Sequence, residues 1–474
     1  MNYELIKNKI INLINLGIDK NEMIRVDKKP QELIHEFDFT ISKEGKTEEE
    51  MSSMIDQIIH NSVNTNHTFF MNQMYGKQHL IGVYGDILTT LLNTSMYTYE
   101  VAPIMTLIEK ECIAKLSKTI WKTSGDGVFT PGGSISNMMG LMLARNAKLA
   151  HIKKEGLTNA PKFSIFLSDQ AHYSFLKSAI FMGFGSDSIV KIASNEIGQM
   201  DTPSLVKAIE IEKQKNRIPL LLIGVAGTTF SGVFDELDAL AMIAKENQMW
   251  YHVDAVYGGS MLFSTQEKYK FKGIEKADSV SWNLHKMMGI PLICASFLTK
   301  EKGLLNDAFA VDADYLFHDT EDDYNLGQKS LQCGRRVDAL KLWLAWKHDG
   351  ELGFENRIDK LIKIANSFAE KIKSNQNFEL LCQPDSPIVT FRIIDTDMDN
   401  LEGNIINKMV RDQLFKEGEI IFNYAEFKGK IYLRCVISDP EIQENDINKI
   451  ISKIQETLNF LKEQVEASFI SLNV

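Results

Sequence analysis

Short apolar runs alternate with helical patterns through the middle third of the chain. The apolar runs are bounded by polar residues, as buried strands are, and occupy residues 163–167, 219–226, 249–253 and 292–298. Helical patterns stand between them, for example at 205–215 and 237–246. This order predicts an α/β fold with a large, mainly parallel sheet that is covered by helices. In such a sheet we expect the reactive residues just beyond the carboxyl ends of the strands.

The pattern changes on both sides of this central region. Residues before about position 90 look helical, and a long helical pattern fills 337–373 with interruptions near Gly350 and Gly353. Strand-like runs follow at 387–394, 419–424 and 430–437, and a helical tail closes the chain. We therefore predict three parts. They are a helical segment over 1–89 that clamps a second subunit, a large domain over 90–345 and a small C-terminal α+β domain over 346–474.

Charge and cysteine content exclude several classes of function. The 474 residues carry 52 Lys plus Arg against 63 Asp plus Glu, a net charge of −11, which disfavours a nucleic-acid binder because phosphate neutralisation needs a clustered basic surface. The five cysteines are dispersed and form no C-x-x-C pair, so neither a disulfide framework nor a metal site is expected. The first residues resemble an amphipathic helix more than a signal peptide, and no apolar stretch is long enough to cross a bilayer. We expect a cytoplasmic protein with no membrane partner.

The first segment with candidate chemistry is TPGGSISN at 130–137, followed by a helical run to about Ala150. Small residues and hydroxyls at a helix N-terminus, here Gly133 and Ser134, form a cup for an anion, because the unpaired N–H groups and the helix dipole favour a phosphate there. Taken alone, the segment is better explained as a plain N-capped helix after a glycine-rich turn.

Three further side chains follow predicted strands. His172, in SDQAHYS, could stack on a planar ring, although a lone histidine is more often structural. Asp254, in WYHVDAVYGG, stands at the end of an apolar strand, where an acid is costly unless it is paired. Lys286, in SVSWNLHKMMG, is flanked by His285 and an apolar pair, which suits an amine for Schiff-base chemistry in a pocket. The alternative for Lys286 is a surface lysine on a loop.

Together these four features are more specific than any one of them. A phosphate cup, a histidine that stacks on a ring, an acid for a ring nitrogen and a Schiff-base lysine are the parts that a pyridoxal phosphate site needs. The acid would keep the ring nitrogen protonated, so that the ring can accept electrons. We therefore predict pyridoxal 5′-phosphate as the cofactor.

The same segments resemble the group II pyridoxal-phosphate-dependent amino acid decarboxylases, and Lys286 matches the lysine that carries the cofactor in that family. The resemblance implies the aspartate aminotransferase-like fold type I and a homodimer with active sites at the interface. Within the family the sequence is most similar to the branch of glutamate decarboxylase and cysteine sulfinate decarboxylase. That similarity rests on FMNQ (70–73), NTSMYTYEVAP (93–103), LQCGRRVD (331–338) and YLRCVIS (432–438).

The resemblance assigns roles to individual residues. It implies that His172 stacks on the pyridine ring, that Asp254 pairs with its nitrogen and that Tyr315, on a mobile loop, protonates the substrate carbon. The residues that it implies for holding the phosphate are Ser134, Ser136, Thr229, Asn283 and His285, and Gly133 is predicted to bind the cofactor as well. The residues that it implies for substrate binding are Gln73, Ser95 and Arg434. A guanidinium such as that of Arg434 can grip a distal carboxylate through two hydrogen bonds.

The sequence departs from the family pattern at three places. Leu284 stands where proline is usual, Ile293 stands where the branch usually has glutamine, and the loop at 324–329 lacks the usual acidic pattern. These departures bear on loop motion and substrate choice rather than on the lysine chemistry. Ser95 and Tyr97 resemble the cysteine sulfinate branch, whereas KMMG at 286–289 resembles the glutamate branch.

The resemblance thus implies α-decarboxylation of an acidic L-amino acid, namely glutamate, aspartate or cysteine sulfinate, to the amine and carbon dioxide. One alternative is a decarboxylase for a basic or aromatic amino acid such as 2,4-diaminobutyrate, which gains nothing from Arg434. Another is a different pyridoxal phosphate enzyme, such as an aldolase or aminotransferase, against which Tyr315 and Arg434 weigh. A catalytically silent dimeric binding protein is disfavoured because Lys286, Asp254 and His172 are all present.

Overall fold

The computed structural model describes residues 4–16, 23–311, 322–394 and 400–472. Within this part of the chain, no helix combines the length and the apolar character that crossing a membrane requires. The α-helices are α1 (Glu4–Leu16), α2 (Pro30–Glu36), α3 (Glu48–Asn61), α4 (Leu80–Leu92), α5 (Pro103–Trp121), α6 (Gly133–Lys148), α7 (Ile152–Glu155), α8 (Ser174–Phe181), α9 (Thr202–Gln214), α10 (Leu237–Glu246), α11 (Leu304–Phe309), α12 (Asp338–Lys373), α13 (Asn400–Glu417) and α14 (Glu444–Leu472). The strands are β1 (Phe70–Met71), β2 (Asp126–Thr130), β3 (Phe163–Ser168), β4 (Ile189–Ile192), β5 (Ile218–Val225), β6 (Trp250–Asp254), β7 (Ser279–Asn283), β8 (Ala295–Thr299), β9 (Phe378–Leu380), β10 (Ile388–Ile393), β11 (Ile421–Phe427) and β12 (Lys430–Val436).

The chain divides into two compact units. The larger unit comprises Gln78–Asn366 and Leu381–Ile388, and the smaller one comprises Met1–Lys77, Ser367–Leu380 and Val389–Val474. The smaller unit therefore draws on both the beginning and the end of the sequence.

The larger unit is built on a sheet with the strand order β2-β8-β7-β6-β5-β3-β4 among the described residues. The pairings of β3 with β4 and β5, of β5 with β6 and of β6 with β7 are parallel, whereas β8 runs antiparallel to both β2 and β7. β2, β3, β7 and β8 are buried along their whole length, as expected for a sheet covered on both faces. The predicted fold class, α/β with a large and mainly parallel sheet, is confirmed.

The predicted apolar runs at 163–167, 219–226 and 249–253 correspond to β3, β5 and β6. The run at 292–298 overlaps β8 at residues 295–298, but this strand is antiparallel. The reason is its short connection to β7, which has no helix to carry the chain back for parallel pairing. The sequence pattern missed β2, β4 and β7. β7 reads Ser-Val-Ser-Trp-Asn, and its serines hide a strand that is fully buried.

The helix α6 places the start of its first turn at the carboxyl edge of the parallel strands. Its apolar face is buried with β2 and β8 in a cluster that includes Val128, Met139, Leu143 and Phe297. This packing fixes the direction of α6, so that its N-terminus, rather than its side, faces the space beyond the strands.

The smaller unit contains a sheet with the order β1-β11-β12-β10-β9 among the described residues. The predicted strands at 387–394, 419–424 and 430–437 correspond to β10, β11 and β12. β1 pairs in parallel with β11, with Phe70 opposite Ile421, and so ties the N-terminal part of the chain to this sheet.

The bounds of the two units differ from the division predicted at 89/90 and 345/346. α4 belongs to the larger unit because Gly85 lies directly on the backbone of Lys341, where an added Cβ would be 2.7 Å from Cα. An ion pair of 3.0 Å between Arg336 and Asp86 holds the same contact. The predicted kink of the long helix is present at Gly350, which has a φ of 68° inside α12. The clamping role predicted for residues 1–89 stays a prediction.

Candidate active site

A cavity of about 120 Å³ lies beyond the carboxyl ends of the parallel strands of the larger unit. The residues that line it are Gly133, Ser134, Asn137, Gln170, His172, Val225, Gly227, Thr229, Asp254, Val256, Tyr257, Asn283 and Lys286. These residues lie at or just after the ends of five strands, β2, β3, β5, β6 and β7. They meet in one place because parallel strands end at the same edge of a sheet. The cavity thus brings together seven of the predicted site residues, namely Lys286, His172, Asp254, Gly133, Ser134, Thr229 and Asn283.

The start of α6 forms one wall of this cavity. The first N–H groups of a helix lack partners within the helix and can bind an anion. Gly133 brings this backbone close to its neighbours, since an added Cβ would lie 2.8 Å from Val256 Cγ2 and 3.2 Å from Asn283 Nδ2. Ser134 also lines the cavity. This wall is suited to a phosphate group.

Ser136 and His285, both predicted to hold the phosphate, do not line the cavity. Ser136 is fully buried behind it, with its Oγ 2.7 Å from Thr130 Oγ1. His285 is also buried, and its Nδ1 lies 2.8 Å from the carbonyl oxygen of Cys294. Its Nε2 lies 3.3 Å from Asn283 Nδ2, so His285 positions Asn283. Burial lowers the pKa of His285 to about 4, which keeps this imidazole neutral.

Asp254 ends β6 and is only 6% exposed. One carboxylate oxygen accepts a hydrogen bond of 2.9 Å from Asn137 Nδ2, and the other accepts one of 3.1 Å from the backbone N–H of Val256. A carboxylate oxygen can accept more than one hydrogen bond. Asp254 therefore keeps the capacity to bind an N–H group placed in the cavity.

His172 and Lys286 contribute the other two reactive side chains. His172 Nδ1 accepts a hydrogen bond of 3.2 Å from the backbone N–H of Ser174, which fixes the ring. Burial lowers the pKa of His172, the charge of Lys286 lowers it further, and Asp254 opposes this. Lys286 follows β7 in a turn that is closed by a 3.0 Å bond from the N–H of Gly289, and its Nζ lies 5.9 Å from the ring centre of Tyr257.

The remaining predicted residues lie elsewhere. Ser95 is in the larger unit, where its Oγ accepts a hydrogen bond of 3.3 Å from the backbone N–H of Arg335, and it does not line the cavity. Arg434 is in the smaller unit, 7% exposed, and its Nη1 donates to the carbonyl oxygen of Asn72 at 3.4 Å. This bond places Arg434 beside the segment that carries Gln73. Tyr315 lies outside the described residues.

Sequence reasoning missed several residues of the cavity, of which Asn137 matters most. It donates to Asp254 from the helix α6. Its position held a usable signal, because residues four apart share a helix face and Asn137 stands four residues after Gly133. Gln170, Gly227, Val256 and Tyr257 were also missed as lining residues.

The donor set of the cavity fits pyridoxal phosphate. The N-terminus of α6 with the hydroxyls of Ser134 and Thr229 suits a phosphate, and the carboxylate of Asp254 suits a protonated ring nitrogen. The buried Oδ1 of Asn283 has no hydrogen-bond partner among the described residues, so it can accept a hydrogen bond from a donor of the bound group, while its Nδ2 can donate to the phosphate. The amine of Lys286 is the nucleophile that an aldehyde requires.

Comparison with known proteins agrees with this geometry. A family described as "Pyridoxal-dependent decarboxylase conserved domain" matches residues 30–394. The chain is 34% identical to the acidic amino acid decarboxylase GADL1 of Bos taurus over 449 residues, covering 92% of this chain and 86% of that protein. It is 35% identical to the cysteine sulfinic acid decarboxylase of Mus musculus over 454 residues, covering 93% and 92%. The crystal structure of mouse CSAD in apo form superposes with a TM-score of 0.91 at 33% identity, covering 96% of this chain and 98% of that one.

These similarities confirm the predicted fold type I, the predicted cofactor and the predicted branch of the group II decarboxylases. A family match over most of the chain and a cavity with a lysine, an acid and a helix N-terminus in suitable places lead to one conclusion: the chain belongs to the pyridoxal-dependent decarboxylases.

Proposed function

We propose that this enzyme removes the α-carboxylate of an acidic L-amino acid, with cysteine sulfinate as the first substrate to test, and releases the amine and carbon dioxide. The observation that carries the substrate class is the buried guanidinium of Arg434, held beside the segment of Gln73. Two of the relatives above, named for acidic amino acids and for cysteine sulfinic acid, support it.

Each of the predicted reactive residues has a defined task in this proposal. Bound pyridoxal phosphate supplies an acceptor for the electron pair that remains when carbon dioxide leaves the α-carbon. Asp254 holds the proton on the ring nitrogen, and the neutral face of His172 covers the ring. The amine of Lys286 would hold the aldehyde of the cofactor, and the amine of the substrate would take over that position. Tyr315 delivers the proton to the α-carbon.

The phosphate is held by the N-terminus of α6, Ser134, Thr229 and Asn283, with His285 fixing the amide of Asn283. In this proposal Arg434 and Gln73 take the distal acidic group of the substrate. Ser95 takes part in substrate binding as the resemblance implies. A paired guanidinium–carboxylate contact is directional, so it also sets the orientation of the α-carbon.

The substrate class is tested by carbon dioxide release on a panel of cysteine sulfinate, aspartate, glutamate, 2,4-diaminobutyrate and an aromatic amino acid. We expect the wild type to release carbon dioxide fastest from an acidic substrate, and we expect Arg434→Gln to lose that preference. Arg392→Gln is the matched control, because Arg392 is 3% exposed in the same sheet. Fastest release from a basic or aromatic amino acid, or an equal loss of preference in both variants, would contradict the proposal.

The proposal includes a homodimer. One face of α4 and the start of α5 expose apolar side chains at helical spacing, namely Leu80, Tyr84, Leu88, Leu91, Ile104 and Leu107. Leu91 is 76% exposed, and a patch of this kind is typical of a protein interface. We expect Leu91→Glu to shift the mass by light scattering from dimer to monomer. Leu352→Glu, at a position that is 72% exposed on α12, should leave the mass unchanged.

A cytoplasmic location is also part of the proposal. It is supported by the five cysteines, all of which lie in the described residues as free thiols, as is usual in a reducing compartment. Fractionation of cells that express the chain tests it, and recovery outside the cytoplasm would contradict it.

A further inference from the structure

A chain of hydrogen bonds runs behind the cavity and ends at Asp254. Trp250 Nε1 donates to Ser279 Oγ at 2.9 Å, and Ser279 Oγ lies 2.8 Å from His252 Nδ1. His252 Nε2 lies 3.2 Å from Asn137 Oδ1, and Asn137 Nδ2 donates to Asp254 at 2.9 Å. Ser279, His252 and Asn137 are each at most 1% exposed. These three links therefore lie in the core of the larger unit, away from solvent.

The two contacts made by the amide N–H2 of Asn137 set the direction of these bonds. Because the amide N–H2 of Asn137 donates to Asp254 and also to Ser174 Oγ at 3.1 Å, its oxygen must accept from His252. The imidazole then carries its proton on Nε2 and accepts at Nδ1. Ser279 must donate to that nitrogen while it accepts from the indole of Trp250, which can only donate.

The state of His252 satisfies this requirement. Burial lowers its pKa to about 4, so the ring is neutral, with one donor nitrogen and one acceptor nitrogen. Nε2 also lies 3.2 Å from Ser281 Oγ, a second acceptor for the same proton. Every donor from the indole onward therefore points toward Asp254.

Packing fixes the imidazole of His252 in this orientation. Gly140 of α6 lies against it so closely that an added Cβ would be 2.9 Å from Nδ1. The rings of Phe175 and Phe297 flank it, with centroids at 5.9 Å and 6.1 Å. The ring cannot turn to exchange its donor and acceptor without displacing these neighbours.

We infer that Asn137, His252, Ser279 and Trp250 are positioning residues, which aim the Asp254 carboxylate at the ring nitrogen of pyridoxal phosphate. This inference rests on the proposed role of Asp254. Four aligned hydrogen bonds fix the direction of a buried carboxylate more firmly than one donor alone.

The test measures how tightly the purified apoenzyme of each variant binds added pyridoxal phosphate, and at which wavelength the bound cofactor absorbs. Asn137→Ala removes a hydrogen bond to a charge and should weaken binding roughly tenfold. The absorption band should also move away from its wild-type wavelength, because a less firmly aimed Asp254 changes the contact at the ring nitrogen. Ser279→Ala and Trp250→Phe should weaken binding and move the band in the same direction by less.

Ser296→Ala is the matched control, since Ser296 is a fully buried serine of the same sheet whose Oγ donates to Trp282 instead. If Ser279→Ala and Trp250→Phe both bind the cofactor as tightly as the control does and absorb at the same wavelength, the inference is overturned. These two conservative variants decide the question even where circular dichroism shows that Asn137→Ala does not fold. Asp254→Asn separates the two claims. Normal binding by Asp254→Asn defeats the proposed role of Asp254, whereas impaired binding with unchanged chain variants defeats only this inference.

Discussion

The absence of a side chain at Gly133 is the feature of the cofactor cavity whose effect can be worked out most directly. Gly133 is the first residue of α6, and a Cβ there would lie 2.8 Å from Val256 Cγ2 and 3.2 Å from Asn283 Nδ2. Carbon atoms in contact are normally about 3.5–4.0 Å apart. In Gly133→Ala, Val256 or the start of the helix must therefore move, and both of them line the cavity.

The expected size follows from this overlap. Overpacking of this kind costs about 1–3 kcal/mol, which corresponds to a loss in affinity of roughly 5- to 150-fold. The cost falls on the cofactor-bound state, because a cavity of about 120 Å³ leaves the free protein room to adjust. The fold itself should not suffer, since alanine is a better helix former than glycine by about 1 kcal/mol.

The assay is titration of apoenzyme with pyridoxal phosphate, followed by the absorbance of the bound cofactor, together with thermal unfolding of the apoenzyme. Gly133→Ala should bind more weakly while its unfolding temperature stays the same or rises. Gly334→Ala is the control, because nothing lies within 4 Å of a Cβ at Gly334. Wild-type affinity in Gly133→Ala would refute the claim that the missing side chain at Gly133 leaves room for the cofactor.

Three further predictions test other parts of the structure. Arg335→Met should destabilise the protein by about 3–5 kcal/mol in urea unfolding, because Arg335 and Glu109 form an ion pair in which both side chains are at most 2% exposed; an unchanged midpoint would contradict this. The pKa of His252 and of His285 is lowered from 6.5 to about 4. Each neutral imidazole therefore adds to the free energy of unfolding above pH 6.5, and this contribution is lost as the pH falls toward 4. This amounts to roughly 3 kcal/mol each, and unfolding temperatures that do not fall between pH 6.5 and 4.5 would argue against it. Tyr315→Phe should slow decarboxylation and raise the yield of aldehyde, and an unchanged product ratio in an aldehyde assay would exclude its role as proton donor.

The sequence allowed four of the seven described strands of the larger sheet, and seven of the residues that line the cavity, to be predicted. Apolar runs such as 163–167 read directly as β3, because nearly every residue in them is apolar. β7 was not visible because its serines are buried and bonded, as Ser279 is to Trp250 and to His252. Sequence spacing cannot show such partners.

Neighbouring residues of one motif also point in different directions, which the sequence could not reveal. Ser134 lines the cavity, whereas Ser136 is turned inward toward Thr130, since two steps along a helix reverse the direction of a side chain. Asn137 returns to the cavity side for the same geometric reason. The family resemblance predicted the chemistry of the motif, whereas only the structure showed which of its side chains face the cavity.

The central claim is that the cavity of Lys286 converts an acidic amino acid to an amine and carbon dioxide. The most direct test measures both products, and any keto acid, from cysteine sulfinate, aspartate and glutamate with the cofactor-loaded wild type and with Lys286→Ala. The account predicts equal amounts of amine and carbon dioxide from at least one of these substrates by the wild type, and no turnover by Lys286→Ala. A keto acid in place of carbon dioxide, or undiminished turnover by Lys286→Ala, would contradict it.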